Sequence, residues 1–458
     1  MKKVKIIILS FILFISPLTS FASDSAVITQ VPSVPIAVAQ IKQAKALLEE
    51  VKLNYALTPH YKTIKQPRKK PTTKQVLSNY TLDTKDIALA ILDPASGDIK
   101  ITSGTQRDTN FNFSDKNFDI QKIRFNGVNT RFTVNKPSGG KVLAIKYLIT
   151  PTESGSKSTI ENSLYSGIYV PYSPELVTPE VSQYGANYLD GVINGAVADL
   201  QNTQSVSVPG QTIPNAIRPE LVRALLYAEH MDTSEFLSNP NTQNLIDKIN
   251  ILLAGNEGDT WKYSVSSAGA AGISQFIPST YASLVKRHAQ SGLIPDFVQG
   301  MRNHINAVKA TYLLLDDYIA AVHTQAGDAF LTAHAFDYGV AAYNGGTVRV
   351  AKAAIAFGPV WSQDHSNEIS PLQDRVARQN AVVNALKNQI KKTKKTADKA
   401  KLKLVLAKEQ GALNDAQSQL ATTQASVLRG ETVNYVFKID KLIQIFNDYK
   451  PQQVLASR

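Results

Sequence analysis

The residue best placed to do chemistry is a glutamate near the end of a short helix. Pro219 and Glu220 suit a first helical turn, so the sequence predicts a helix from Pro219 to about His230. Along it Val222, Leu225, Leu226 and Glu229 fall at i, i+3, i+4 and i+7, which puts a carboxyl on the apolar stripe at the C-terminal end. Burial and the negative end of the helix dipole both disfavour the charged form. Holding a glutamic acid neutral up to about pH 6 rather than about 4.3 takes roughly 2 kcal/mol. Such an acid suits protonation of a glycosidic oxygen, the step that makes a sugar a leaving group. The competing reading is that Glu229 simply ends its helix in water. A second carboxyl, Glu257 in Gly255-Asn256-Glu257-Gly258-Asp259, sits among helix breakers without an apolar face to raise its pKa.

Three further stretches surround this acid in the sequence. Ala268 to Tyr281 reads Ala-Gly-Ala-Ala-Gly-Ile-Ser-Gln-Phe-Ile-Pro-Ser-Thr-Tyr, with two glycines three apart that permit close backbone approach and a proline that opens a new helix. Downstream lie Ala341-Ala342-Tyr343-Asn344-Gly345-Gly346 and Glu431-Thr432-Val433-Asn434-Tyr435-Val436. In this order the four elements resemble the lytic transglycosylases of the lysozyme-like superfamily, the soluble lytic transglycosylase and goose-type lysozyme-like catalytic domains that act on bacterial peptidoglycan. The resemblance spans roughly residues 219–447 without an insertion described below.

That resemblance implies one glutamate acting first as acid and then as base on the bond between N-acetylmuramic acid and N-acetylglucosamine, leaving 1,6-anhydro ends. It implies that Ser274 and Gln275 line the saccharide groove, that Tyr343 and Asn344 contact sugar, and that the hydroxyl of Tyr435 supports the acid. Glu431 is read as a structural hydrogen-bond partner, and Asp232 as a helix-end cap. One departure matters: the family glutamate is commonly followed by serine about a dozen residues before the glycine motif. Glu229 is followed by His230 and stands forty residues before Gly269, whereas Glu257 has the family-like spacing. Glu229 is taken as the catalytic residue and Glu257 as the alternative. The other functions left open are a hydrolase of the same bond and an inactive wall-binding or secretion-machine scaffold.

Other chemistries are poorly supported. Ser283-x-x-Lys286 and Ser154-x-x-Lys157 lack the companion motifs of penicillin-binding enzymes. The histidines show no metal-binding spacing and no glycine loop cradles a phosphate, so neither metal nor any other cofactor is expected.

Residues 1–22 carry three lysines, an apolar core from Ile6 to Leu18 and Ser20-Phe21-Ala22, the pattern of a secretory signal peptide and too short for a membrane span. An exported protein, in the periplasm or secreted, is expected, with no stable membrane span after cleavage. The chain has no cysteine, so its stability rests on apolar burial. Its formal charge of +12, about +9 without the leader lysines, suits an acidic polymer such as peptidoglycan or an anionic membrane surface. Nucleic acid fits neither the compartment nor the motifs.

The elements predicted around the acid define an α+β multidomain chain. Residues 23–80 read as a helix and a basic, proline-punctuated linker from Pro59 to Pro71. Residues 81–183 alternate short Ile/Val/Phe/Thr runs with turns at Pro94–Gly97 and Pro137–Gly140, a small antiparallel β domain. Residues 184–365 and 429–450 form the mainly α lysozyme-like domain, with a long helix predicted from the spacing of Met301, Ile305, Val308, Tyr312, Leu315, Ile319 and Val322. Residues 366–428 interrupt it as a basic helical hairpin insertion. There Val376, Val383, Ile390, Ala397 and Leu404 repeat every seven residues, and the turn is expected either at Lys391–Lys399 or at Gly411. The β domain or this insertion is the surface expected to meet an envelope or secretion machine.

Overall fold

The computed structural model describes residues 34–66 and 72–448. The predicted signal peptide and residues 67–71 of the predicted linker lie outside them.

Helix α1 (Ile36–Glu49) leads into nine strands: β1 (Tyr55–Gln66), β2 (Thr72–Leu92), β3 (Ile99–Arg107), β4 (Asn110–Phe113), β5 (Asp119–Arg124), β6 (Arg131–Lys136), β7 (Lys141–Ile149), β8 (Ser154–Gly155) and β9 (Tyr165–Tyr169), with α2 (Lys157–Ser163) before the last. The main sheet runs β4-β3-β2-β7-β9, all antiparallel, and β5 pairs with β6 as a separate ribbon. The centre of β2 reads Ile-Ala-Leu-Ala-Ile-Leu from Ile87 to Leu92 and is buried on both faces. A strand covered on both sides has no need of polar alternation. On one face Ala88, Ala90, Leu143 and Ala144 meet Val38, Ile41 and Leu48 of α1. On the other, Ile87, Leu89 and Ile91 lie under Val134 of the ribbon.

One expectation fails here. The stretch from Pro59, read as a linker, is strand β1, paired with β2 from Tyr55↔Lys85 to Gln66↔Thr72. Proline lacks a ladder donor, but β1 is an edge strand, where that donor is not required. The lysines and prolines masked alternating strand formers such as Tyr61 and Ile64.

The helices follow as α3 (Pro179–Leu200), α4 (Ile213–Ala216), α5 (Pro219–Glu229), α6 (Thr233–Ser238), α7 (Thr242–Asn256), α8 (Pro278–Arg287), α9 (Phe297–Arg302), α10 (His304–Ala326), α11 (Ala335–Gly345) and α12 (Thr347–Phe357). Helix α10 is the hub, packed against α3, α11 and α12, with Val308, Tyr312 and Leu315 in the core. The predicted long helix is shorter by a turn: Met301 ends up in α9, and Asn303 caps α10 by accepting from the Asn306 N–H.

Helices α13 (Ile369–Lys392) and α14 (Thr396–Ser426) pack on each other as a hairpin that turns within the lysine-rich patch, and Gly411 is inside α14. The seven-residue repeat does not cross that turn. Leu404 is 75 % exposed, while Val383, Leu413 and Ala416 are buried. The last described helix, α15 (Gly430–Asp448), returns to pack on α5 and α11.

Candidate active site

Helix α5 opens with Pro219, whose missing N–H is harmless in a first turn, and ends at Glu229. Leu221, Val222, Leu225 and Leu226 anchor it in the core, which carries Glu229 inward to a half-buried position. Tyr435 of α15 donates its hydroxyl to Oε1 of Glu229. Lys438, three residues on and only 2 % exposed, donates from Nζ to the carbonyl oxygens of Ala228 at 2.8 Å and Met231 at 2.9 Å. The ammonium thus satisfies the open end of α5 and brings a positive charge near the carboxyl.

Burial pushes the Glu229 carboxyl up to about 7. The Tyr435 hydrogen bond and the Lys438 charge pull the other way, and the exposed Glu431 adds a smaller upward push through its charge. A carboxyl so balanced exchanges its proton near neutrality. Burial first, and the Glu229 charge second, hold the phenols of Tyr343 and Tyr435 well above their ordinary range. Both remain hydrogen-bond donors.

The Gly-Ile-Ser-Gln turn is held by backbone geometry. Gly272 has φ +73°, and a Cβ there would sit 2.6 Å from the Met301 carbonyl oxygen. Gln275 also has positive φ, is half-buried, and donates from Nε2 to the Gly272 carbonyl at 2.8 Å. The expectation for Ser274 is corrected: its side chain is wholly buried, hydrogen-bonded to Thr311 Oγ1 at 2.8 Å, and does not line a groove. The turn directs that hydroxyl towards α10. Its carbonyl accepts from the Tyr343 hydroxyl at 2.6 Å. Asn344 is exposed, and its Oδ1 accepts from Thr432 Oγ1 at 2.8 Å, which ties the end of α11 to the start of α15.

His230 accounts for the unusual spacing. It stacks on Trp261 with ring centroids 3.6 Å apart and planes 4° apart, and its Nε2 lies 2.9 Å from the Ile273 carbonyl oxygen. A carbonyl only accepts, so Nε2 carries the proton. Burial pushes the ring down to about 3, leaving it neutral. The chain leaves at Met231, forms α6 and α7, and returns at Trp261, so the end of α5 meets the turn despite the forty residues between them. Asp232 caps α6, accepting from the Glu235 N–H at 2.8 Å.

Glu257 is elsewhere. Its Oε1 pairs with Lys42 of α1 at 3.0 Å and accepts from the Tyr184 hydroxyl of α3 at 2.8 Å. Sequence reasoning missed Lys438, Thr311 and the His230–Trp261 stack. Lys438 left one signal, a lysine at apolar-stripe spacing after Tyr435 and before Leu442. Among the described residues no group of three or more acids and histidines is placed to hold a metal, and no helix is long and apolar enough to cross a membrane.

Residues 239–357 match the family model described as Transglycosylase SLT domain. The matched part is consistent with a lysozyme-like lytic transglycosylase, and that family supports lytic transglycosylase activity on peptidoglycan in general. The match starts after Glu229 and stops at the end of α12, ahead of the hairpin. No curated protein and no solved structure matches the chain.

Proposed function

We propose that the protein is a peptidoglycan lytic transglycosylase in which Glu229 acts as acid and then as base. The observation that carries the reading is the half-buried Glu229 carboxyl itself, hydrogen-bonded by Tyr435 at the end of a helix whose next residue, His230, bonds the Gly-Ile-Ser-Gln turn; burial raises its pKa to about 7. Protonated Glu229 gives its proton to the oxygen between N-acetylmuramic acid and N-acetylglucosamine as the bond from that oxygen to the anomeric carbon breaks. The resulting carboxylate takes the proton of the muramic 6-hydroxyl, whose oxygen closes onto the anomeric carbon. The proton is back on Glu229, no water is consumed, and the product is a 1,6-anhydro end. Gln275, Tyr343 and Asn344 are the sugar-contacting side chains, and Tyr435 steadies the acid. Peptidoglycan lies outside the cytoplasm, and together with the export signal expected of residues 1–22 this supports a protein that works in the periplasm or beyond the cell. The β sheet or the α13–α14 hairpin is the surface left for an envelope or secretion machine.

The test is digestion of purified peptidoglycan by wild type, Glu229→Gln and Glu257→Gln, with products identified by mass. Anhydro ends from wild type and Glu257→Gln, and none from Glu229→Gln, are expected. Reducing ends would make the enzyme a hydrolase, and no release from wild type would leave an inactive wall-binding scaffold.

A further inference from the structure

A cavity of about 450 Å³ lies between α3, α5, α7 and the end of α15, and Glu229, Tyr435 and the Gly-Ile-Ser-Gln turn are not part of its lining. Its size falls within the roughly 300–1,000 Å³ usual for small-molecule sites. Arg223 and Tyr227 reach it from α5. Glu229, two residues beyond Tyr227, is rotated by about 200° around the helix and faces the other side. The cavity is therefore separate from the proposed acid and lies on the other side of α5.

Its apolar lining is Val177, Pro179, Ile246, Ile445 and Phe446, beside the charged pair Arg223 and Asp190. Its floor is a directional hydrogen-bond chain. Tyr227 donates to Asn250 Oδ1, Asn250 Nδ2 donates to Ser182 Oγ at 3.0 Å, and Ser182 Oγ donates to Asp247 Oδ1 at 2.7 Å. Gln243 Nε2 adds a further bond to the same oxygen at 2.9 Å. Tyr227, Asn250 and Ser182 are all buried, so the chain is shielded from water and its bonds reinforce one another. Each donor points towards Asp247.

Arg223 pairs with Asp190 through Nη2 and lies over the Phe446 ring, while its buried Nε has no partner among the described residues. Asp247 forms no salt bridge among the described residues, and its Oδ2 accepts no hydrogen bond from them. Two carboxylates thus face one guanidinium, leaving an uncompensated negative charge in a chain of formal charge +12. Apolar walls and a free carboxylate oxygen favour a donor cation with a hydrocarbon body. A carboxylate ligand would meet repulsion, and a neutral one would leave the charge unanswered.

We propose that this cavity binds a primary amine, its ammonium on Asp247 Oδ2 and its apolar body against Ile246, Ile445 and Phe446. The probe is n-hexylamine, titrated calorimetrically into the full chain at pH 7, with hexanoate and hexanol as controls of the same body and a different head. Saturable binding of hexylamine at one site is expected, with hexanol and hexanoate at least tenfold weaker. Asp247→Asn still accepts from Ser182 and Gln243, and is expected to weaken hexylamine at least tenfold. Ala186 of α3 also lines the cavity; Ala186→Leu fills it without changing charge and should abolish binding, its thermal transition reporting that the fold is intact. Glu229→Gln should bind as wild type does, so the outcome is independent of the proposed catalysis. No binding to wild type, equal binding of hexanol, or undiminished binding to Asp247→Asn overturns the assignment.

Discussion

Tyr435 donates its hydroxyl to Glu229 across 206 positions of sequence. The bond closes α15 over the end of α5, and Lys438 on the same helix completes the closure by capping the carbonyls of Ala228 and Met231. The Tyr435 hydrogen bond and the Lys438 charge favour the ionised carboxylate, and burial outweighs them. The proposed acid is thus set by opposing effects that separate substitutions can remove one at a time.

Tyr435→Phe removes the hydrogen bond that favours the charged form, so the Glu229 pKa moves above about 7. The alkaline limb of the rate profile on peptidoglycan should shift upward. A hydrogen bond to a charged group is worth about 1.5–3 kcal/mol, so a shift of about one to two pH units is expected. An unmoved limb would mean that Glu229 does not set it.

Glu229→Gln should abolish peptidoglycan cleavage, a loss of at least about a hundredfold for a group doing acid and base work. It should also change stability in a pH-dependent way. The folded pKa is raised from 4.5 to about 7, so the wild type pays no penalty below about pH 4.5 and an increasing one as pH rises through 7. At about 1.36 kcal/mol per unit the full penalty is about 3 kcal/mol. Urea unfolding should find the two proteins alike at pH 4 and the glutamine variant more stable by about that amount at pH 8. A difference that is flat with pH would place the carboxyl in water.

His230 has the opposite sign. Its folded pKa is depressed from 6.5 to about 3, so its contribution is intact above about pH 6.5 and is lost as pH falls towards 3. His230→Gln can still donate to the Ile273 carbonyl and has nothing to titrate. Unfolding followed from pH 7 to pH 4 should show a shallower loss for the variant than for wild type.

Gly272→Ala places a Cβ 2.6 Å from the Met301 carbonyl oxygen at φ +73°, and should cost about 2 kcal/mol or more. At Gly269, φ is +80° but the nearest atom is Pro278 Cδ at 3.7 Å, so alanine there meets backbone strain alone, about 1 kcal/mol. Equal melting temperatures for the two variants would remove the close approach as the reason for the glycine.

The hairpin separates two leucines of similar sequence context. Leu404→Gln, at an exposed position, should change stability by no more than about 0.5 kcal/mol, while Leu413→Ala, at a buried one, should cost about 2–4 kcal/mol. Thermal unfolding of both variants checks the order. Its reversal would restore the seam expected from the seven-residue repeat.

Local pattern determined much of this molecule. The two-residue and 3.6-residue periods are set within a few positions, so the centre of β2, the strands β3, β5, β6, β7 and β9, the α5 stripe ending at Glu229 and the existence of the α13–α14 hairpin are legible in the sequence, while the short strands β4 and β8 are not. What a side chain touches is another matter. Ser274 and Gln275 are neighbours in one short motif, yet the positive φ angles around them send one hydroxyl to Thr311 and leave the amide half-exposed. Pro59 reads as a linker until a partner strand shows it to be at a sheet edge. Leu404 continues a heptad that the turn at Thr393–Lys395 interrupts. Glu229 and Glu257 are both plausible acids in sequence. The difference between them, one shielded under Tyr435 and Lys438 and the other ion-paired with Lys42, was decided only by tertiary structure, because loss of water at a carboxyl depends on helices folded over it from distant parts of the chain.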